Sequence, residues 1–349
     1  MILVLLRRQY GLFVLTRQVR KARKVCEAID LKHDWSCRDT VPLLATLRSL
    51  AYLCWMKTKT YEIDRFEKRR IPSPGACIYC GSAFSQNDLT DEHVIPFALG
   101  HNTLIFEKAS CKHCAATIQP YEQEVLKKQL GDFRLQVDAP SRTRRKDRPK
   151  HVKIPFVAVD GSGKITRDLG SRAFPLEEAP LALNLWELPE ARITLGDAGS
   201  DKGRGRPWSY VESRAYEINR QIAEETGEAN VAMKLGDVNR NHFLRFLAKT
   251  AHAFAVAELG MDGFEPFLND IILNKSDGLS MYVGGTFPHD KQEIDPAETL
   301  RIFIGSTEEF VAVYVQFYPL LDSPAYGIVV GKRNSKTEER IEAMKAHYM

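Results

Sequence analysis

The sequence predicts an α+β protein in which a cysteine-framed segment precedes a C-terminal α+β domain with an antiparallel sheet. Three observations support this class. Two tight cysteine pairs flank residues 81–110, a helix-like apolar repeat lies within residues 240–260, and short β-branched runs recur after residue 280. The 349 residues are enough for two domains with their own cores.

The composition, 44% hydrophobic and 27% charged, argues against global disorder. The net charge is only +4, and residues 1–55 hold ten Lys and Arg against four Asp and Glu. A nucleic-acid surface must therefore be a local patch. The apolar start is interrupted by Arg7 and Arg8, which is the wrong charge order for a secretory signal. We therefore expect a cytoplasmic protein, and seven unevenly spread cysteines fit that compartment.

We expect four regions. Residues 1–55 read as a basic helical extension, 56–136 as a cysteine-rich module, 137–154 as a basic linker and 155–349 as the C-terminal domain. One interpretation is that Met56 is the true start and that the extension is not part of the native protein. The alternative is a basic helical arm that contacts nucleic acid.

The residue pattern of the C-terminal domain predicts one helix and several strands. Asp237 is a candidate cap for a helix whose apolar face includes Phe243 and Phe254 and which ends near Gly260. We expect His252 on this helix to be packed or exposed rather than a ligand. The predicted strands are "MYVGGTF", "LRIFIG", "EFVAVYVQFY", which we expect to be central, and "AYGIVVGK". "IPFVAVDGSGKITRDL" predicts a hairpin.

Cys77 and Cys80 form one C-x2-C pair, and Cys111 and Cys114 form another. Two residues between cysteines let both thiolates face one tetrahedral ion, so the four sulfurs predict a closed structural Zn²⁺ site. Gly81 suits the tight turn after the first pair. A redox pair or an iron–sulfur cluster are the alternatives, and a redox pair lacks the expected βαβ context.

The segment between the pairs contains "LTDEHVIPFALG" (89–100), followed by Asn102. Together with the cysteines, it resembles the HNH endonuclease family in its zinc-stapled form, which has a CxxC pair on each side of a ββα-metal hairpin. The resemblance covers about residues 77–124 and implies that the 56–136 module is a zinc-framed ββα-metal HNH module. It implies that Asn102 holds the hairpin loop.

The resemblance also implies catalytic roles. His93 would be the general base for the water that attacks the scissile phosphate, and Glu92 would ligate a catalytic Mg²⁺ or other divalent cation, with Asp91 as the fallback ligand. A neutral imidazole accepts protons at cellular pH, and such cations prefer oxygen ligands. Adjacent strand residues point to opposite faces, so Glu92 and His93 converge only if the hairpin bends, as the resemblance implies. The alternative is an exposed, non-catalytic strand start.

One position departs from the family pattern. Many members have an Asn directly after the last cysteine, as a second metal ligand, where this chain has Ala115. Glu122 is our substitute ligand, and Gln119 is a weaker one. Glu122 could equally be a first-turn carboxylate that complements the helix dipole, on a helix that tolerates Pro120 in its first turn.

A basic run follows the module. Its candidate phosphate contacts are Arg142, Arg144, Arg145, Lys146 and Arg148. The alternative is an ordinary solvated linker.

The predicted function is a metal-dependent endonuclease that cuts DNA, with duplex DNA as the expected partner. The alternatives are a catalytically inactive zinc-framed protein that binds nucleic acid, and a regulatory protein whose C-terminal domain contacts a protein partner.

Overall fold

The computed structural model describes residues 68–99, 103–139, 141, 143–195, 203–286 and 299–348. The chain divides into Met1–Lys57 and Thr58–Met349, and every described residue lies in the second unit. The predictions for residues 1–55, Asn102, Arg142 and the side chain of Arg145 lie outside the described residues. Among the helices described, none combines the length and apolar character needed to cross a membrane.

The cysteine pairs belong to a three-stranded sheet and the helix that follows it. Strand β1 (Lys68–Ile71) runs parallel to β3 (Thr103–Cys111), and β2 (Leu89–His93) runs antiparallel to β3 on its other side. Helix α1 (Lys112–Gln123) begins directly after β3. The second cysteine pair therefore spans the strand-to-helix junction.

Helix α1 differs from the prediction in one respect. It begins at Lys112, so Pro120 lies inside the helix and the prediction that it occupies the first turn is wrong. Proline has no N–H to donate within the helix. The chain continues as a π-helical segment (Glu124–Gln129) and then as helix α2 (Gly131–Gln136).

The middle of the chain forms two small sheets. The predicted hairpin is confirmed as β4 (His151–Val159) paired antiparallel with β5 (Ile165–Pro175). Strands β6 (Ala182–Glu187) and β7 (Arg206–Val211) pair with each other. Helix α3 (Arg214–Thr226) leads to β8 (Val231–Met233), which pairs with β4.

The C-terminal sheet packs against a long helix, α4 (Arg240–Leu259), which ends before Gly260 as predicted. Its N-cap is Asn239, which accepts a hydrogen bond from the His242 N–H, so the prediction of Asp237 is wrong. The remaining elements follow in chain order: β9 (Phe264–Pro266), α5 (Asn269–Ile272), α6 (Leu279–Tyr282), β10 (Val283–Thr286), β11 (Leu300–Ser306), β12 (Phe310–Phe317), β13 (Ala325–Arg333) and α7 (Thr337–Tyr348).

The pairing confirms the predicted antiparallel sheet. Strand β12 lies between β11 and β13, so the run "EFVAVYVQFY" is interior, as predicted. One buried cluster joins side chains of the cysteine-framed segment to those of α4 and this sheet. The predicted α+β class is confirmed, and the domain boundaries drawn from the sequence stay predictions.

Candidate active site and cysteine frame

The four cysteine side chains of the two pairs come together. Their sulfur atoms all lie within 4.8 Å of one another, and three of the four residues are buried. A tetrahedral ion with Zn–S bonds of about 2.3 Å needs four sulfurs that are close together, and these four are within that reach after small side-chain shifts. Within the described parts of the chain, this is the one group of three or more His, Cys, Asp or Glu residues close enough to hold a metal ion. The donor set fits a structural zinc ion, which would hold the first pair against the start of α1.

Backbone contacts shape the first cysteine pair. Gly81 has φ 71° and donates its N–H to the Cys77 carbonyl at 2.8 Å, as its place in a tight turn predicts. Ile78, between the two cysteines, donates its N–H to the Ala109 carbonyl at 2.9 Å. Its own carbonyl lies 2.8 Å from His252 Nε2. His252 is therefore packed and is not among the grouped metal ligands, as expected.

The hairpin carries a bulge before Glu92 and His93, and these two residues then pair in regular register with Phe106 and Ile105. Thr90 pairs with Ser110 but Glu92 pairs with Phe106, so three residues of β3 oppose Asp91 alone. Lys108, within this bulge, has φ 47°. Bulges twist strands locally and redirect side chains. The irregularity lies directly before the candidate catalytic residues.

Glu92, Glu122 and the His93 backbone meet at one lysine. Lys249 of α4 forms a salt bridge with the Glu92 carboxylate and another, at 2.6 Å, with Glu122 Oε1. Its ammonium also donates to the His93 carbonyl oxygen at 3.0 Å. The side chains of Lys249 and Glu92 are 1% and 9% exposed, so this contact is buried. The structure brings two predicted ligands together around an ammonium group.

Burial and charge oppose each other in this cluster. Burial alone would lower the pKa of Lys249, but the charges of Glu122 and Glu92 outweigh it and raise that pKa. Burial also raises the pKa of Glu92, which Lys249 counteracts. Tyr79, fully buried beside Glu92, has its pKa raised by burial first and by the Glu92 charge second. Lys249 is therefore protonated at neutral pH.

Asp91 lies away from this cluster, on the exposed side of β2. Its carboxylate contacts Arg70 at 3.1 Å and accepts the Lys108 N–H at 3.2 Å. Arg70 also pairs with Glu107. Each of the three predicted ligands therefore already contacts a basic side chain. Because the Lys249 ammonium contacts both of them, Glu92 and Glu122 as arranged do not fit a divalent cation.

Helix α1 carries the remaining residues considered as metal ligands. Ala115 lies in the first turn, and Glu122 in the last. The alternative of Glu122 as a first-turn carboxylate is therefore wrong. His113, which lies between the two cysteines of the second pair, is exposed and is not part of the cysteine group. Gln119 is exposed on the same helix.

The described side chains of the basic run differ in their contacts. Arg144 and Lys146 are exposed. Arg148 is bound into its own turn, where it contacts Asp138 at 2.7 Å and the Thr143 carbonyl at 3.3 Å. The exposed pair is thus better suited to phosphate than Arg148 is.

Sequence reasoning missed Lys249. A single lysine inside the apolar run "FLAKTAHAFA" was the one local signal, since a buried lysine needs a partner. The residues around Lys249 do not indicate that its partners are Glu92 and Glu122, because these two lie on other elements far away in the sequence.

Comparison with known proteins agrees with this geometry. Residues 77–130 match a family model described as HNH endonuclease. The match covers a minor part of the chain and includes all four cysteines, β2, β3 and α1. No curated protein and no solved structure matches the chain. Residues 77–130 therefore match the HNH endonuclease family, and they contain four cysteines that fit a zinc site.

Proposed function

We propose that this protein is an HNH-type endonuclease that hydrolyses phosphodiester bonds of DNA, with duplex DNA as its substrate and His93 as the general base. The observation that carries the proposal is the position of His93. It ends β2 within the family-matched, cysteine-framed segment, directly after the hairpin bulge. A cytoplasmic location and a protein partner for the C-terminal domain stay predictions from the sequence.

The proposed chemistry needs a base that substrate and water reach. His93 is half-buried, and its backbone is held by the Lys249 ammonium and by pairing with Ile105. A fixed backbone limits where the imidazole can lie. A neutral imidazole would accept a proton from water as the water attacks phosphorus. Arg144 and Lys146 are the exposed side chains that we assign to phosphate contacts.

The alternative function is a zinc-framed nucleic-acid-binding or regulatory protein without catalysis. Two observations favour it: Ala115 replaces the expected metal-binding Asn, and Lys249 occupies the centre of the predicted carboxylate pair. Both would leave the zinc frame and the fold intact.

Plasmid cleavage by the full-length protein, with Zn²⁺ bound and Mg²⁺ or Mn²⁺ present, tests the proposal. We expect His93→Ala to lower the cleavage rate by about 10²-fold or more, because it removes the base. His113→Ala is the matched control, since that histidine is exposed on the same segment, and it should cut at the wild-type rate. Wild-type cleavage by a folded His93→Ala variant would reject His93 as the base. A folded, zinc-loaded wild type that binds DNA but does not cut it would favour the alternative.

A further inference from the structure

The Lys249 ammonium has a complete set of acceptors. It contacts the Glu92 carboxylate, Glu122 Oε1 at 2.6 Å and the His93 carbonyl oxygen at 3.0 Å. A lysine ammonium has three N–H donors. Each donor therefore has an acceptor, and the acceptors come from β2 and α1 while the lysine comes from α4.

Charge balance favours keeping the ammonium where it is. The Lys249 side chain is 1% exposed, and an unpaired ammonium at that depth would be strongly unfavourable. Two carboxylates compensate it, and Glu122 keeps 25% of its side chain exposed to solvent. The charges of the two carboxylates are therefore already compensated by a buried cation, the Lys249 ammonium.

A divalent ion would compete with Lys249 for the same oxygens. Mg²⁺ takes oxygen ligands at about 2.0–2.1 Å in near-octahedral geometry. An ion bound by both Glu92 and Glu122 would lie against the ammonium nitrogen, and two cations repel each other at that separation. Asp91 is not a ready substitute, because its carboxylate contacts Arg70 and the Lys108 N–H.

We propose that the Lys249 ammonium is the resident cation of the Glu92–Glu122 pair, and that this pair holds no divalent ion in the native protein. Lys249 is then a positioning residue supplied by α4. It holds two carboxylates and fixes the backbone of the strand residue that carries the candidate base. The inference rests on the proposed function for its mechanistic meaning, and it makes α4 part of the same site.

Binding of Mn²⁺ alone to the zinc-loaded, full-length protein tests this, with electron paramagnetic resonance and no nucleic acid present. We expect Glu122→Gln to bind as much Mn²⁺ as the wild type, because Glu122 serves Lys249 and not a metal. We expect Lys249→Met to gain about one Mn²⁺ through the two freed carboxylates. Adding Glu122→Gln to Lys249→Met should abolish that gain.

Lys336→Met is the matched control. Lys336 also pairs with a carboxylate, that of Asp262 at 2.6 Å, but the pair is at the surface. Loss of this lysine should therefore leave Mn²⁺ binding unchanged.

Two outcomes overturn the inference. One is the loss of a wild-type Mn²⁺ site in Glu122→Gln with zinc content and circular dichroism unchanged, a comparison that does not need any Lys249 variant to fold. The other is a folded Lys249→Met variant that binds no more Mn²⁺ than the wild type. Neither measurement involves cleavage, so failure of the His93 experiment and failure of this one are separate results.

Discussion

At the scale of single residues, buried polar side chains of α4 connect it to the HNH-family segment and to the strand before it. Lys249 reaches Glu92 and Glu122, His252 reaches the Ile78 carbonyl, and Glu258 pairs with Arg69 at 2.9 Å. The Glu258 side chain is 2% exposed. Burial raises its pKa to about 6 from an ordinary 4.5, against the opposing charge of Arg69.

Glu258 makes stability depend on pH in a defined direction. Its folded-state pKa of about 6 exceeds the ordinary 4.5, so its stabilising contribution is complete below pH 4.5 and is lost as the pH rises through 6. From well below pH 4.5 to well above pH 6, we expect the wild type to lose about 2 kcal/mol of unfolding free energy relative to Glu258→Gln. Urea unfolding of both proteins across this range, in excess zinc, measures the difference.

The exposed Glu265→Gln is the control for that comparison. A difference between the wild type and Glu258→Gln that stays constant with pH would contradict the raised pKa. Zinc binding affects all of these proteins alike, so it cancels in the difference.

At the scale of elements, α4 is the helix on which the site depends, and its start is fixed by a cap. The Asn239 side chain accepts the His242 N–H at 3.1 Å, which satisfies one of the donors left open at a helix N-terminus. Asp237 lies outside the helix and is exposed. The two residues are both common capping types, so sequence alone did not separate them.

Alanine substitution distinguishes the two candidate caps. We expect Asn239→Ala to lower the free energy of unfolding by about 1 kcal/mol, because the helix loses a hydrogen bond at its first turn. Asp237→Ala should change it by less than about 0.5 kcal/mol, as exposed positions usually do. Chemical denaturation measures both, and a larger loss at Asp237 would restore the cap predicted from the sequence.

At the scale of the whole molecule, the cysteine frame and the C-terminal sheet share one core. Side chains such as Leu104 and Ile118 belong to the same buried cluster as Phe243 and Val315. Tyr121 adds a hydrogen bond from its hydroxyl to the Ile272 carbonyl at 3.2 Å. A change that loosens the cysteine-framed segment should therefore also destabilise the C-terminal sheet.

Zinc removal tests this coupling. We expect chelation of zinc to lower the melting temperature and to reduce hydrogen-exchange protection in β12 as well as in β3, because the two share a core. Re-addition of zinc should restore both. Full protection of β12 beside an unfolded β3 would show that the two parts unfold independently.

Most of the predictions that the structure confirms came from local sequence patterns. The C-x2-C spacing, the hairpin and the strand alternation are each set by neighbouring residues, and the structure has them where the patterns indicated. Lys249 is 156 residues from His93, and such a contact depends on packing between distant segments. The cap of α4 and the start of α1 were missed for a different reason, because several residues nearby suit each role.

The contacts of α4 limit how the family-matched segment could be transplanted. A cassette cut at residues 77 and 130 would lack the Lys249 ammonium, which contacts Glu92. It would also lack the His252 imidazole, which contacts the Ile78 carbonyl between the cysteines of the first pair. Two acidic side chains and two backbone carbonyls, those of Ile78 and His93, would then face solvent or a foreign surface. A functional graft must therefore carry α4, and recombination between the family-matched segment and residue 240 would separate parts that this fold uses together.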